Sequence, residues 1–296
     1  MARIDLKTGF RCNNRCTFCV QGDKRERYVD RDTAECMRLI TESRAFADEI
    51  VLTGGEVTIR KDLCELVAHA RDEGFSVIQI QTNGRMLAVD GMLERLVEAG
   101  VTEVSPALHG ADAATHEGQT RAPGSFRQTV RGIRRARALS LPVLLNSVVT
   151  RANHEQLEAM AELFVALEVD QFQLAFVHAL GTAGENFDEV VPRFSDTMPH
   201  VIAALAVGVA AGVRCMTEGI PLCLLPGFES FAAERIIPRT RIVDAEWVIE
   251  DYSSLRVSEG KAKGPECAAC RLDQICEGPW REYPEHYGWE EFRPPR

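Results

Sequence analysis

The stretch Arg11-Cys-Asn-Asn-Arg-Cys-Thr-Phe-Cys-Val20 decides the fold prediction, because it places three cysteines within eight residues. A short strand-like segment at Ile4–Thr8 precedes it, so the cysteines are expected in the loop after a first strand. Three thiolates this close in sequence suit an iron–sulfur cluster or a zinc ion. A zinc site usually has a fourth ligand, and no histidine lies nearby in the sequence, so the residues favour the cluster.

Outward from this loop, the chain alternates strand-like and helix-like stretches. Capping-box patterns begin helical segments, as at Asp32-x-x-Glu35 and Ser125-x-x-Gln128. Six strand–helix units predict an α/β fold with a parallel sheet, and their length suits either an open sheet or a barrel. The six strands, read from short runs rich in Val, Ile, Leu or Phe, are expected at Ile4–Thr8, Ile50–Thr53, Val77–Thr82, Val104–Leu108, Val143–Val149 and Phe172–Val177.

A second group of cysteines lies near the C-terminus, at Cys267, Cys270 and Cys276, and Cys223 is the best candidate for a fourth ligand. From about residue 219 onward the chain is rich in proline and lacks a long periodic helix. This indicates a small, loop-rich module that needs a cross-link, such as a bound metal, to be stable. The Cys-x2-Cys spacing serves both zinc and iron–sulfur clusters, so spacing alone leaves the metal open.

Composition excludes several classes of protein. The 296 residues include 34 basic and 44 acidic side chains, so the net charge of −10 provides no overall attraction to nucleic acid or to an anionic membrane. The longest apolar run, residues 201–213, is shorter than the roughly 20 residues needed to span a bilayer. No secretory signal opens the chain, so a cytoplasmic location is expected. The ten cysteines are then expected to bind metal, act in catalysis or fill the core rather than form disulfides.

Two motifs together resemble those of the radical SAM superfamily. The first is the C-x3-C-x2-C spacing with Phe18 before its last cysteine, and the second is Thr53-Gly54-Gly55-Glu56, similar to the Gly-Gly-Glu stretch of the family. They occur in the family's order, on successive strand-following loops. The resemblance covers roughly residues 3–215 and implies a partial (β/α)6 TIM-type barrel rather than an open sheet. We therefore expect a core at 1–215 and a C-terminal module at 216–296.

The resemblance also implies the cofactors. In this superfamily three cysteines hold a 4Fe–4S cluster whose fourth iron binds S-adenosylmethionine. Reductive cleavage then yields methionine and a 5′-deoxyadenosyl radical that abstracts a hydrogen atom from the substrate. Carried over to this sequence, the cluster ligands are Cys12, Cys16 and Cys19. A reducing partner such as flavodoxin or ferredoxin is implied as well.

The S-adenosylmethionine contacts follow from the same resemblance. Gly54 and Gly55 would let the backbone approach the methionine moiety, where a side chain would collide. Glu56 would accept a charge-assisted hydrogen bond from the methionine ammonium. The remaining implied contacts are Phe18 near the adenine, and Ser105 and Asn146 at the ribose or carboxylate, although the last two are equally consistent with ordinary polar strand residues.

The C-terminal cysteines look like the short Twitch-type module of many radical SAM proteins, a reduced relative of the seven-cysteine SPASM domain. This likeness implies an auxiliary 4Fe–4S cluster on Cys223, Cys267, Cys270 and Cys276. Cys215 has three interpretations: it replaces Cys223 as a ligand, donates a hydrogen atom to a substrate radical, or has no role in the chemistry.

The substrate is the part of the function that the sequence leaves open. Because the barrel is expected to begin at about residue 3, no leader-binding domain is expected before it. This favours oxidation or epimerisation of a small polar, natural-product-type substrate. The alternative is a peptide maturase that forms thioether or carbon–carbon cross-links with a separate leader-binding partner. A non-catalytic metal-binding protein is the alternative of another class, and the intact cysteine triad and Glu56 argue against it.

Overall fold

The computed structural model describes residues 2–295 as parallel strands with helices packed along one face. The strands are β1 Ala2–Lys7, β2 Glu49–Thr53, β3 Val77–Thr82, β4 Glu103–Pro106, β5 Leu144–Val149, β6 Gln171–Phe176, β7 Arg214–Glu218, β8 Arg239–Val243 and β9 Val248–Ile249. The α-helices are α1 Lys24–Arg27, α2 Thr33–Arg44, α3 Leu63–Asp72, α4 Met92–Ala99, α5 Ala113–Thr120, α6 Ser125–Ala138, α7 Leu157–Ala166, α8 Thr182–Glu185, α9 Phe187–Val190, α10 Phe194–Ala210, α11 Tyr252–Leu255 and α12 Glu282–Tyr287.

The strands form two sheets that together make a partial barrel. One sheet has the order β4-β3-β2-β1-β8-β9 and the other has the order β5-β6-β7. Parallel bridges at Val104–Val143 and Ala107–Asn146 connect β4 to the start and middle of β5. The six strands expected from the sequence are confirmed, and so is the α/β partial-barrel fold.

Three strands were not expected, namely β7, β8 and the short β9, which pairs antiparallel with β8. Strand β7 crosses the expected division between residues 215 and 216, and β8 pairs in parallel with β1 from Ala2–Arg239 to Leu6–Val243. Part of the segment after residue 216 therefore extends the sheet of the barrel. The division into a core and a C-terminal module stays a prediction, and this pairing shows that the two parts share a sheet.

Alternation along the strands places the core between the sheet and its helices. Ile4 and Leu6 of β1 are fully buried in one cluster with Ile40 of α2.

The Asp32 cap of α2 is formed, since its carboxylate accepts the Glu35 N–H at 2.7 Å. The box predicted at Ser125 is not formed, because Gly124 is the N-cap of α6. Within residues 2–295, no helix is both long and apolar enough to cross a bilayer.

Candidate functional site

The N-terminal cysteine loop is held by hydrogen bonds from several elements. Arg15 and Thr17 donate their N–H groups, each at 2.9 Å, to the carbonyls of Thr120 and Gln119 at the end of α5. Asn83, in the loop after β3, donates from Nδ2 to Asn13 Oδ1 at 2.6 Å. The loop therefore has a fixed conformation before any ligand is considered.

The three thiols of this loop lie near one another. The pKa of Cys16 is raised, and burial is the main cause. The neighbouring thiols of Cys19 and Cys12 raise it further. The pKa of Cys12 is also raised by burial, against a hydrogen bond from the Asn14 N–H to Sγ at 3.4 Å. Bound iron would hold such thiols as thiolates. The donor set thus fits an iron–sulfur cluster.

A single metal ion needs ligands that converge on one point. Among residues 2–295, no three His, Cys, Asp or Glu side chains are arranged to hold one ion. A cubane does not require this arrangement, because each cysteine binds a different iron of the cluster. The arrangement of the thiols is therefore compatible with a cluster.

The glycine pair after β2 packs against the cysteine loop itself. Gly55 donates its N–H to the Gly9 carbonyl at 2.9 Å. A Cβ atom on Gly54, which has φ of +139°, would collide with the same carbonyl, and one on Gly55 would collide with the carbonyls of Phe10 and Arg11. The sequence analysis assigned these glycines to an approach by the methionine moiety. In the structure, the absence of side chains at these two positions lets two backbone segments lie in close contact. This contact alone requires glycine at both positions.

Glu56 is buried, with 2% of its surface exposed, and its carboxylate joins the loops after β2 and β3. Its carboxylate accepts hydrogen bonds from the Thr58 N–H at 3.1 Å, Thr82 Oγ1 at 2.6 Å and the Asn83 N–H at 2.6 Å. Burial raises the pKa of Glu56, and these hydrogen bonds oppose the rise. Oε2 accepts only the Asn83 bond, so it can accept a second donor from a ligand.

Phe18 contacts a histidine that the sequence analysis did not select. Its ring meets the ring of His109 edge-on, with centroids 4.7 Å apart. His109 Nδ1 accepts the Val148 N–H at 3.1 Å, so the proton of the neutral ring lies on Nε2. Burial, followed by the nearby His116, lowers the pKa of His109 to about 3. A lone histidine without a spacing partner gives no signal in a single sequence.

The inward face of the barrel is polar and partly open. Where β1 buries Ile4 and Leu6 against helices, the alternate Asp5 and Lys7 face inward and are only partly buried. Barrel interiors of this type are usually packed with Val, Ile and Leu. The partly buried or exposed polar residues on the inward face, which we call the chamber, are Arg3, Asp5, Lys7, Gln79, Gln81, Glu103, Ser105, Asn146, Gln173 and Glu218.

The predicted ribose or carboxylate residues both lie in this chamber. Ser105 is in register with Gln81 of β3, and Asn146 is in register with Gln173 of β6. Asn146 Oδ1 is buried and has no hydrogen-bond partner among the described residues. Both side chains are therefore placed where a ligand can reach them.

The four C-terminal cysteines come together. Cys223, Cys267, Cys270 and Cys276 line one small cleft, together with apolar residues such as Trp289. Burial raises the pKa of Cys223 to about 11, and the thiols of Cys276, Cys267 and Cys270 contribute to the rise. The donor set of this cleft fits an iron–sulfur cluster, as the N-terminal loop does.

Cys215 lies elsewhere. It is buried on the face of β7 that packs against α10, with Sγ 3.8 Å from the Leu205 carbonyl. A Cβ atom on Gly208 of α10 would lie 2.9 Å from this sulfur. Burial alone raises the pKa of Cys215 to about 11, with no contribution from the other thiols. This position, on the side opposite the chamber, conflicts with both roles predicted for Cys215, as a substitute ligand and as a hydrogen donor.

Comparison with known proteins identifies the family of this fold. The model of the radical SAM superfamily matches residues 6–164. The chain is 30% identical over 198 residues to the AdoMet-dependent heme synthase of Methanosarcina barkeri, covering 64% of this chain and 54% of that protein. It is 30% identical over 181 residues to a probable GTP 3′,8-cyclase of Saccharolobus solfataricus, covering 60% of this chain and 58% of that protein. The chain thus spans little more than half the length of these relatives.

Solved structures share the fold over nearly the whole chain. SuiB of Streptococcus suis, bound to S-adenosylmethionine, superposes with a TM-score of 0.70 at 14% identity, covering 98% of this chain and 76% of that one. Native anSMEcpe with bound AdoMet gives a TM-score of 0.69 at 15% identity, covering 95% of this chain and 89% of that one. At such low identity the likeness concerns the fold alone.

Proposed function

Since the chain belongs to the radical SAM superfamily, we propose that it is an enzyme that removes a hydrogen atom from a small polar substrate held in the chamber. The observation that carries this proposal is the polar, partly open inward face, in a fold whose interior is usually packed with aliphatic side chains. A 4Fe–4S cluster and S-adenosylmethionine, which membership of the family implies, would together supply the 5′-deoxyadenosyl radical. Net oxidation or epimerisation is the proposed outcome.

Hydrogen bonds through Asn83 join the cysteine loop to Glu56, two of the parts that would hold these groups. Cys12, Cys16 and Cys19 are proposed to bind the cluster. Asn83 links their loop to Glu56, because its N–H donates to the carboxylate and its side chain donates to Asn13. The free capacity of Glu56 Oε2 suits the ammonium of S-adenosylmethionine. Phe18, Ser105 and Asn146 are proposed contacts of its other parts.

We expect Glu56→Ala to weaken S-adenosylmethionine binding while leaving iron content unchanged. The loss of a charge-assisted hydrogen bond to an ammonium is worth about 1.5–3 kcal/mol, or roughly ten- to a hundredfold in affinity. Titration of the reconstituted variant with S-adenosylmethionine measures the change.

Thr82→Val is the matched control for this variant. It removes one donor to Glu56 Oε1 and keeps the carboxylate and its Oε2. It should lower the unfolding free energy by about 1 kcal/mol and leave the affinity unchanged. Equal losses of affinity in both variants would show that Glu56 acts only by bracing the loops.

An auxiliary 4Fe–4S cluster on Cys223, Cys267, Cys270 and Cys276 is the second part of the proposal, with residues 216–296 as a Twitch-like module. Its support is the shared cleft that these thiols line. Such a cluster would exchange an electron with the substrate radical during net oxidation. The same proposal includes a reducing partner such as flavodoxin or ferredoxin. It also includes a cytoplasmic location, which would keep the thiols reduced.

Anaerobically reconstituted protein is expected to hold about eight iron atoms per chain, in two cubanes. Reduced with dithionite, it should form 5′-deoxyadenosine from S-adenosylmethionine. Metal analysis and chromatography measure the two quantities. Zinc in place of half the iron would overturn the auxiliary cluster, and absence of 5′-deoxyadenosine would overturn the enzyme in favour of a non-catalytic metal-binding protein.

A peptide maturase with a separate leader-binding partner is the second candidate. SuiB, which shares the fold, has been solved with its precursor peptide SuiA. The two candidates differ in which compounds raise the rate of 5′-deoxyadenosine formation. Small polar molecules should do so under the first proposal, and peptides under the second.

A further inference from the structure

Glu218, the last residue of β7, has no role in the chemistry described above. Cys215 and Thr217 face α10 and are buried, so alternation directs Glu218 into the chamber. Its Oε2 accepts a hydrogen bond from Gln173 Nε2 of β6 at 2.7 Å. The carboxylate therefore has a fixed position on the inward face, beside the strand that carries Gln173.

The charges around Glu218 do not balance. Its nearest charged neighbours are Glu234, Lys261, Arg256 and Arg3, and burial together with Glu234 raises the pKa of Glu218. Each neighbouring cation forms its ion pair with another carboxylate, so Glu218 has no ion pair of its own among residues 2–295. The three ion pairs are Lys261–Glu234 at 3.0 Å, Arg256–Glu277 at 2.6 Å and Arg3–Asp5 at 3.3 Å.

Two buried polar atoms beside Glu218 also lack partners. Only 8% of the Glu234 side chain is exposed. Its Oε1 atom accepts hydrogen bonds from the Gly219 N–H at 2.7 Å and from Lys261 Nζ, whereas its Oε2 atom has no partner among the described residues. The Arg256 side chain is 1% exposed, and its Nη1 has no partner. Buried polar groups are nearly always hydrogen-bonded. The site thus needs a donor for Glu234 and an acceptor for Arg256.

We propose that Glu218, Gln173 and Glu234 bind an ammonium group of the substrate, and that a hydroxyl or carbonyl oxygen of the same molecule accepts from Arg256. An ammonium carries three donors, which match a Glu218 oxygen, the Gln173 amide oxygen and Glu234 Oε2. Its charge neutralises the unpaired carboxylate, which is otherwise unfavourable in a buried setting. This inference rests on the proposed function, because it takes the chamber as the substrate site.

Calorimetric titration of the reconstituted, S-adenosylmethionine-loaded protein tests the inference with two pairs of probes. Glucosamine and glucose represent a small amine and its neutral counterpart, and Nα-acetyl-lysine amide and Nα-acetyl-norleucine amide represent a peptide source. We expect one amine to bind at least tenfold more tightly than its neutral counterpart. A preference for glucosamine over glucose would identify a small amine as the substrate. A preference for the lysine derivative over the norleucine derivative would identify a peptide.

Glu218→Gln should reduce amine binding ten- to a hundredfold, because it removes a charge-assisted hydrogen bond. Its melting temperature should be unchanged or higher, since the unpaired charge is gone. Glu42→Gln is the control, because Glu42 of α2 is a carboxylate that accepts from Arg38 outside the chamber. That variant should bind the amine as the native protein does.

Equal binding of amine and neutral compound in both pairs would overturn the inference, and so would equal losses in the two variants. Failure of this inference is distinguishable from failure of the proposed function. Binding is measured without reduction, whereas the proposed function is tested by formation of 5′-deoxyadenosine in the reduced native protein.

Discussion

Replacement of Cys12, Cys16 and Cys19 by alanine together is expected to abolish formation of 5′-deoxyadenosine and to remove about half of the iron, one of two cubanes. The reason is that these thiols are the proposed ligands of the cluster that binds S-adenosylmethionine. The remaining iron should stay in the C-terminal cleft. Iron analysis and chromatography of the reduced, reconstituted variant measure both effects.

The backbone of the loop should survive this replacement, because backbone and side-chain bonds from α5 and Asn83 hold it without the thiols. Circular dichroism should therefore be native-like. Cys64→Ser is the control, since Cys64 lies on α3 away from both cysteine groups. A triple variant that keeps all its iron or forms 5′-deoxyadenosine would contradict the ligand assignment.

The second large effect is expected at Cys223. Cys223→Ala should change the spectrum of the auxiliary cluster or abolish the cluster, and should lower the stability of the C-terminal segment. A thiolate–iron bond is lost there, in a segment with few regular elements to stabilise it. Ultraviolet–visible and electron paramagnetic resonance spectra, together with thermal unfolding, measure these changes.

Cys215→Ala is the matched comparison. The Cys215 thiol packs between β7 and α10, where it acts as a small hydrophobic group. Its removal should lower the unfolding free energy by about 1 kcal/mol and leave both clusters intact. Loss of the auxiliary cluster in Cys215→Ala but not in Cys223→Ala would reverse the assignment. Intact clusters with turnover blocked after radical formation would restore the hydrogen-donor role.

The part of the fold that the sequence predicted is the part with strong local signals. Strands such as Val77–Thr82 are short apolar runs between clear helix starts, and they were located to within a few residues. Strand β8, Arg239–Val243, has the sequence RTRIV in a proline-containing segment, and its pairing with β1 depends on distant chain. No local periodicity reports such a pairing, and the same holds for β7 across the expected boundary.

The site shows a similar division. Cysteine spacing predicts two groups of three thiols, and Cys223 is assigned to the second group because it lies in the same proline-containing segment. The thiols of Cys276, Cys267 and Cys270 lie close enough to raise the pKa of Cys223. The face of the sheet on which a single side chain lies could not be predicted from the sequence, because a shift of one residue in register moves it to the other face. For this reason Cys215 was given roles in the chemistry that its position does not support, and Glu218 was not selected.

The pairing of β8 with β1 also bears on how the chain is made. Strand β1 is synthesised before β8, one of its two neighbours, which follows more than 200 residues later. Lys24, near the cysteine loop, pairs at 2.8 Å with Asp244, which is 220 residues away in the sequence. Contacts this distant in sequence form late in folding. During synthesis, one edge of β1 and the flank of the cysteine loop therefore stay uncovered until the C-terminal third docks. Cys12, Cys16 and Cys19 are therefore less covered during that interval than in the folded chain.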